Sequence, residues 1–176
     1  AIISAGAILH YLSETQHNKL EHIQVIQKIA NDDFVGMDRF TSRNLELLYS
    51  TSIGGVSLVD VIDFTSTPMG GRLLRNWISL PLKSISKIEA RHSLVEALIQ
   101  DDDSRTKVHA HLNKISDVER LMAKIATQKI SPRELVLLRY SLEETKALKS
   151  LLEQNDSKVI NSLSKNIPET ESIYEL

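Results

Sequence analysis

Apolar residues recur along most of this 176-residue chain at the three- and four-residue spacing of amphipathic helices. Ile2, Ala5, Ile8, Leu9 and Leu12 share one face and predict a helix over residues 2–16, punctuated by His17-Asn18. The period then changes. Ile23, Val25 and Ile26 mix with Gln24 and Gln27 as in a short strand, Asn31-Asp32-Asp33 signals a turn, and Phe34-Val35-Gly36-Met37 suits a returning strand. A small hairpin is the expectation. Helical spacing resumes at Asp38, takes in a short helix at Leu45-Glu46-Leu47, and breaks at Ser52-Ile53-Gly54-Gly55.

The later helix starts carry strong signals. Thr67-Pro68 offers an N-cap with proline at the first helical position, where its missing N–H costs nothing. Ser116-Asp117-Val118-Glu119 and Ser131-Pro132-Arg133-Glu134 fit the reciprocal capping box. After the second, Leu135, Leu138, Leu142, Thr145, Leu148 and Leu152 predict a long helix to about Glu153. Another helix is expected between Ile85 and Ile99, ending at Asp101-Asp102-Asp103. A shorter one containing Val159, Ile160 and Leu163 stops before Pro168. The predicted fold is mainly α, a multi-helix core domain with a small β-hairpin near the N-terminus. It divides into residues 1–50 (helix, short hairpin, short helix), 56–130 (helical core) and 131–176 (a long helix and a shorter one).

One helix breaks the pattern in an informative way. Gly70 and Gly71 follow Thr67-Pro68 directly, and each costs roughly 1 kcal/mol relative to alanine inside a helix. Such a pair suits a place where backbone or ligand approaches closely. Arg72, Arg75 and the only tryptophan, Trp77, come next. Two arginines three apart on a helix suit either a phosphate backbone or ion pairs with carboxylates. With 21 basic and 23 acidic residues, ion pairing is the favoured reading. Gly70, Gly71, Arg72, Arg75 and Trp77 are therefore the candidate structural joint.

Composition narrows the chemistry. A net charge of -2 and a pI near 6.3 give no basic footprint for nucleic acid. The absence of cysteine excludes disulfides and thiolate metal sites and suits a reducing cytoplasm. No apolar run nears the ~18 residues that span a bilayer. The six histidines form no HExxH, and His109 and His111 face different sides of a helix. Asp101-Asp102-Asp103 lacks the spaced ligands of a calcium loop. No GxxxxGK[ST] cradles a nucleotide. No catalytic, cofactor-binding or metal residue is assigned, and an enzyme acting alone is not expected. The chain opens inside an apolar helix without initiator Met or basic leader, as a piece of a longer protein would.

Several stretches together resemble one family. Ala5-Gly6-Ala7-Ile8-Leu9-His10-Tyr11-Leu12 with Thr15-Gln16 resembles the start of the core domain of MutS, the DNA mismatch-repair ATPase. Met37-Asp38-Arg39-Phe40-Thr41-Ser42-Arg43-Asn44-Leu45-Glu46-Leu47 is similar to that family's LDxxTxRNLEL, departing from its usual small residues at Arg39-Phe40. Asp63, Thr67, Met69-Gly70, Arg72-Leu73-Leu74, Trp77 and Pro81-Leu82 resemble DxTxTxMGxRLLRxWLxxPL. Arg91, Val95 and Glu96 match the RxxxVE that follows. Asp117-Val118-Glu119-Arg120-Leu121 and Ser131-Pro132-Arg133-Glu134-Leu135 complete the order.

The resemblance covers the middle of such a protein, not its mismatch-reading, clamp or ATPase parts. It implies a helical core that joins the DNA-binding end to the ATPase and relays conformational change, with the helix from Ser131 contributing to the levers. ATP, Mg and mismatched duplex DNA would then be engaged by other parts of a cytoplasmic, dimeric parent, with no membrane partner. A free-standing helical protein-interaction module is the alternative.

Overall fold

The computed structural model describes residues 2–15 and 33–170. Among these, nine helices carry the architecture: α1 (Ile2–Thr15), α2 (Arg39–Asn44), α3 (Leu58–Ile62), α4 (Pro68–Ser79), α5 (Ile85–Gln100), α6 (Asp102–Leu112), α7 (Val118–Ala126), α8 (Pro132–Glu153) and α9 (Lys158–Ser164). Six of them begin with a side chain that accepts a hydrogen bond from the first turn. The caps are Asp38, Ser57, Thr67, Asp101, Asp117 and Ser131. Removing such a cap typically costs about 1 kcal/mol, so these residues fix where each helix starts.

The buried core lies where α5, α6, α8 and α9 meet. Ile115, Leu148, Leu152 and Ile160 form its centre, and Met69, Leu98, Val108, Leu112 and Leu163 pack around them. Met69 is the contribution of α4. Leu121 of α7 and Leu138 of α8 are buried where α7 lies along α8. None of the residues of α1 is buried.

Polar side chains tie the helices across this core. Ser141 is fully buried on α8; its Oγ accepts from the Ser116 N–H at 3.0 Å and donates to the Leu137 carbonyl at 2.8 Å. Asn155, just after α8, donates to Asp101 at 3.1 Å and Ser104 at 2.7 Å, fastening the end of α8 to the α5–α6 junction. Glu144 of α8 accepts from Lys114 at 3.2 Å and lies 2.7 Å from the His111 ring nitrogen.

Four sequence expectations are corrected. The hairpin is not supported: its first arm, residues 23–27, lies outside the described residues, and no strand occurs among the described ones. Phe34 instead makes a single antiparallel bridge with Leu82. Val35 N–H donates to the Pro81 carbonyl at 2.8 Å and Lys83 N–H to the Asp33 carbonyl at 3.0 Å. The apolar run after the turn is thus extended, but its partner is the chain leaving α4.

The short helix near residue 45 comes earlier than expected. Asp38 caps α2, and Glu46 takes a left-handed φ of +48°, which stops it. Asp101-Asp102-Asp103 does not close α5 against its dipole. Asp101 ends α5 and caps α6, placing Asp102 and Asp103 at a positive helix start. Finally, Asp117 rather than Ser116 caps α7, its carboxylate accepting from the Arg120 N–H at 3.2 Å, while the Ser116 N–H donates to Ser141 and not to Glu119.

Candidate functional site

The glycine pair sits in the first turn and a half of α4, and what approaches it is the chain's own preceding turn. Thr67 Oγ1 accepts from the Gly70 N–H at 3.0 Å. A Cβ added at Gly70 would stand 3.1 Å from that oxygen and 3.3 Å from Thr65 Cβ. One added at Gly71 would stand 3.2 Å from Thr65 Oγ1 and 3.3 Å from an Asp63 carboxylate oxygen. The Asp63–Thr67 turn therefore folds back over the helix start. Asp63 holds it in shape by accepting from the Thr65 N–H at 3.1 Å and its hydroxyl at 2.6 Å. These bonds lower the Asp63 pKa, and the charge of Arg75 lowers it further. Asp60 shows the same direction through Ser57, again with help from Arg75. Arg75, half-buried on α4, thus sits in the field of two carboxylates.

Arg72 carries a long-range polar link from α4 to α7. Its Nη1 and Nη2 donate to the two oxygens of Asp117 at 2.8 and 2.6 Å. Its Nε and Nη2 donate to one oxygen of Glu119 at 2.9 and 2.6 Å. A planar guanidinium gives a forked pair its direction, so α4 is held to the start of α7 in one orientation. The guanidinium holds Asp117 well below the usual range, from 3.8 to about 2, and the carboxylates raise the Arg72 pKa in turn. Both bidentate edges of the Arg72 guanidinium are therefore taken by carboxylates.

The linkage continues beyond α7. Lys124 in its last turn pairs with Glu134 of α8, and Glu134 also completes the capping box with Ser131. The Lys124 hydrogen bond, followed by the Ser131 bonds, pulls the Glu134 pKa from 4.5 to about 2. At the other end of α4, the Arg91 guanidinium carbon stands 3.6 Å over the Trp77 ring, a cation–π contact between α4 and α5.

Sequence reasoning named the arginines and the tryptophan but not their partners. Asp117, Glu119 and Arg91 lie far along the chain, and helical spacing says nothing about pairing at that range. The turn that covers the glycines had a local signal, the Asp63-Phe64-Thr65 order of an Asx turn.

The Arg72 fork gives a pH dependence. Because the folded pKa of Asp117 lies below its ordinary value, its contribution is present above about 3.8 and disappears as pH falls through about 2. Asp117→Asn keeps a capping side chain but removes the charge. Wild type is expected to exceed it in stability at neutral pH, with the gap closing across that acid window. Unfolding midpoints measured at stepped pH check this, and a gap unchanged down to pH ~2 would contradict it.

Fold and polar contacts together define a mainly helical module in which forked and capped polar side chains tie successive helices to one another. The chain belongs to the MutS family: residues 40–175 match MutS domain III. Named relatives agree. It is 48% identical over 166 residues to the DNA mismatch repair protein MutS of Flavobacterium johnsoniae, covering 94% of this chain and 19% of that protein. It is 46% identical over 166 residues to the protein of the same name from Christiangramia forsetii, with the same coverage of each. The Flavobacterium psychrophilum MutS is 49% identical over 150 residues, 85% of this chain and 17% of that protein. The chain thus spans about a fifth of the length of these relatives.

Proposed function

We propose that this chain is the structural core segment of a DNA mismatch-repair protein, linking the parts that hold mismatched duplex DNA to an ATPase and relaying conformational change between them. The observation that carries this reading is the Arg72 fork onto Asp117 and Glu119. It lies in series with the Lys124–Glu134 pair at the head of α8. A displacement of α4 would reach the 22-residue α8 through two charged contacts. At ~1.5 Å per residue, α8 would carry it roughly 33 Å. Relay over such distances needs stiff elements with discrete arrangements, and capped helices joined by forked ion pairs supply them. On this reading α8 contributes to the levers, with Gly70, Gly71, Arg72, Arg75 and Trp77 as their structural joint. The segment itself performs no catalysis. ATP and Mg are handled elsewhere in a cytoplasmic, dimeric parent protein, which supplies the contact with mismatched DNA.

Magnitudes separate this role from simple stabilisation. Arg72 is 47% exposed, and exposed ion pairs contribute about 0–1 kcal/mol. Coupling between sites, by contrast, typically spans about 5–150-fold. In the full-length protein, Arg72→Ala is expected to cut mismatch stimulation of ATP turnover about fivefold or more, with basal turnover retained. Stimulation at the wild-type level would overturn the relay.

A further inference from the structure

The loop between α2 and α3 is built to hold its shape while presenting apolar side chains outward. Glu46, at φ +48°, turns its carboxylate inward to accept from the Thr51 N–H at 2.8 Å, the Thr51 hydroxyl, and the Ser50 hydroxyl at 3.4 Å. These bonds lower the Glu46 pKa. The loop ends are closed by Leu58 N–H donating to the Glu46 carbonyl at 2.9 Å and Val59 N–H to the Leu47 carbonyl at 3.0 Å. Gly55 packs so closely that a Cβ there would stand 2.1 Å from Ser50 Oγ. Yet Ile53 at the tip is fully exposed, and Phe40 and Tyr49 are 73% and 76% exposed. A preordered loop that leaves large apolar side chains in water loses little conformational freedom on docking.

Beside the loop lies a groove lined by Phe40, Leu48 and Tyr49, with Arg39 and Arg43 on its rim. One helical turn apart on α2, these arginines make no ion pair or side-chain hydrogen bond with any described residue. Arg72, Arg105 and Arg139 by contrast meet carboxylates, and among the arginines without such a pair only Arg39 and Arg43 line this groove.

We propose that this groove and loop form a docking surface for an acid-bearing apolar segment from elsewhere in the same, longer polypeptide. Its Asp or Glu side chains meet Arg39 and Arg43, and its apolar side chains cover Phe40, Tyr49 and Ile53. Charge complementarity favours an acidic occupant. Walls of aromatic and aliphatic side chains, with two basic residues on the rim and a net charge of -2, favour protein over a phosphate backbone. The related proteins carry about four-fifths of their length outside the matched stretch, which supplies the occupant. The proposal rests on reading this chain as part of such a protein.

The test places a photo-cross-linking p-benzoylphenylalanine at Ile53 in the full-length protein and maps the product by mass spectrometry. The expected product is a link within one polypeptide to a segment rich in Asp or Glu among apolar residues. Combining it with Arg39→Gln and Arg43→Gln, which remove charge without introducing repulsion, is expected to lower the yield at least several-fold. A link to a second copy, to duplex DNA, or to nothing overturns the proposal, as does a yield indifferent to the two arginines. Mismatch-stimulated ATP turnover, read in the same preparation without the glutamine changes, separates the two readings. A wild-type link with stimulation lost supports the docking surface and contradicts the relay, and a missing link with stimulation intact does the reverse.

Discussion

Ile160→Ala is expected to lower the stability of the helical bundle by about 2–5 kcal/mol, the range for truncating a buried isoleucine. Ile160 is 0% exposed and touches the centre formed by Ile115, Leu148 and Leu152. Those neighbours come from the α6–α7 turn and from α8, so collapse around the missing atoms would need several elements to shift together. Few fully buried side chains share the load: Val59, Ser57 and Ser141 are the others among the described residues. For a urea slope of about 1–3 kcal/mol per molar, the unfolding midpoint of the 176-residue chain should fall by on the order of 1–2 M at unchanged slope. A shift below a tenth of that would show that the core is not centred on Ile160.

The second large effect falls on the proposed joint. Gly70→Leu gains roughly 1 kcal/mol of helix propensity, but its Cβ would stand 3.1 Å from Thr67 Oγ1 and 3.3 Å from Thr65 Cβ. The branch beyond that Cβ has to push the Asp63–Thr67 turn away from α4. Overpacking costs about 1–3 kcal/mol, and a disturbed Thr67 cap costs about 1 more, so crowding wins over propensity. Gly70→Ala, which adds the Cβ alone, should come out near neutral. In the full-length protein, Gly70→Leu is expected to separate mismatch binding from ATP turnover, because the turn and the Arg72 fork share the first two turns of α4. DNA-stimulated nucleotide exchange reports this, and a variant with both exchange and stability at wild-type levels would remove the joint from the account.

Where a feature depended on neighbours in sequence, the chain announced it. Ser131-Pro132-Arg133-Glu134 forms the expected reciprocal cap, α8 ends at Glu153, and Thr67 caps α4. Where it depended on a distant partner or a close choice between two local states, sequence was silent or misleading. Residues 34–37 have the composition of a strand, but nothing local says that Pro81 and Leu82 will lie beside them. Asp101 illustrates the second case: one residue closes α5 and opens α6, so carboxylates that look misplaced against one dipole are favourable for the next. Ser116 forms no reciprocal cap with Glu119: its N–H is held by Ser141, a residue 25 positions along the chain, and Asp117 caps α7. The site divides the same way. The cost of two helical glycines was legible and the carboxylates that receive Arg72 were not.

The relay is tested most directly by a double-mutant cycle on mismatch-stimulated ATP turnover in the full-length protein. Its arms are Arg72→Ala, the pair Asp117→Asn with Glu119→Gln, and all three together. Asparagine keeps the α7 cap, and glutamine keeps the shape of the second acceptor, so the carboxylate arm removes charge alone. If the fork transmits the signal, each arm should lose stimulation to a similar degree and the triple variant should lose little more, a coupling free energy near the full single effect. Independent losses that add up in the triple variant, or an arm that leaves stimulation untouched, would contradict the account.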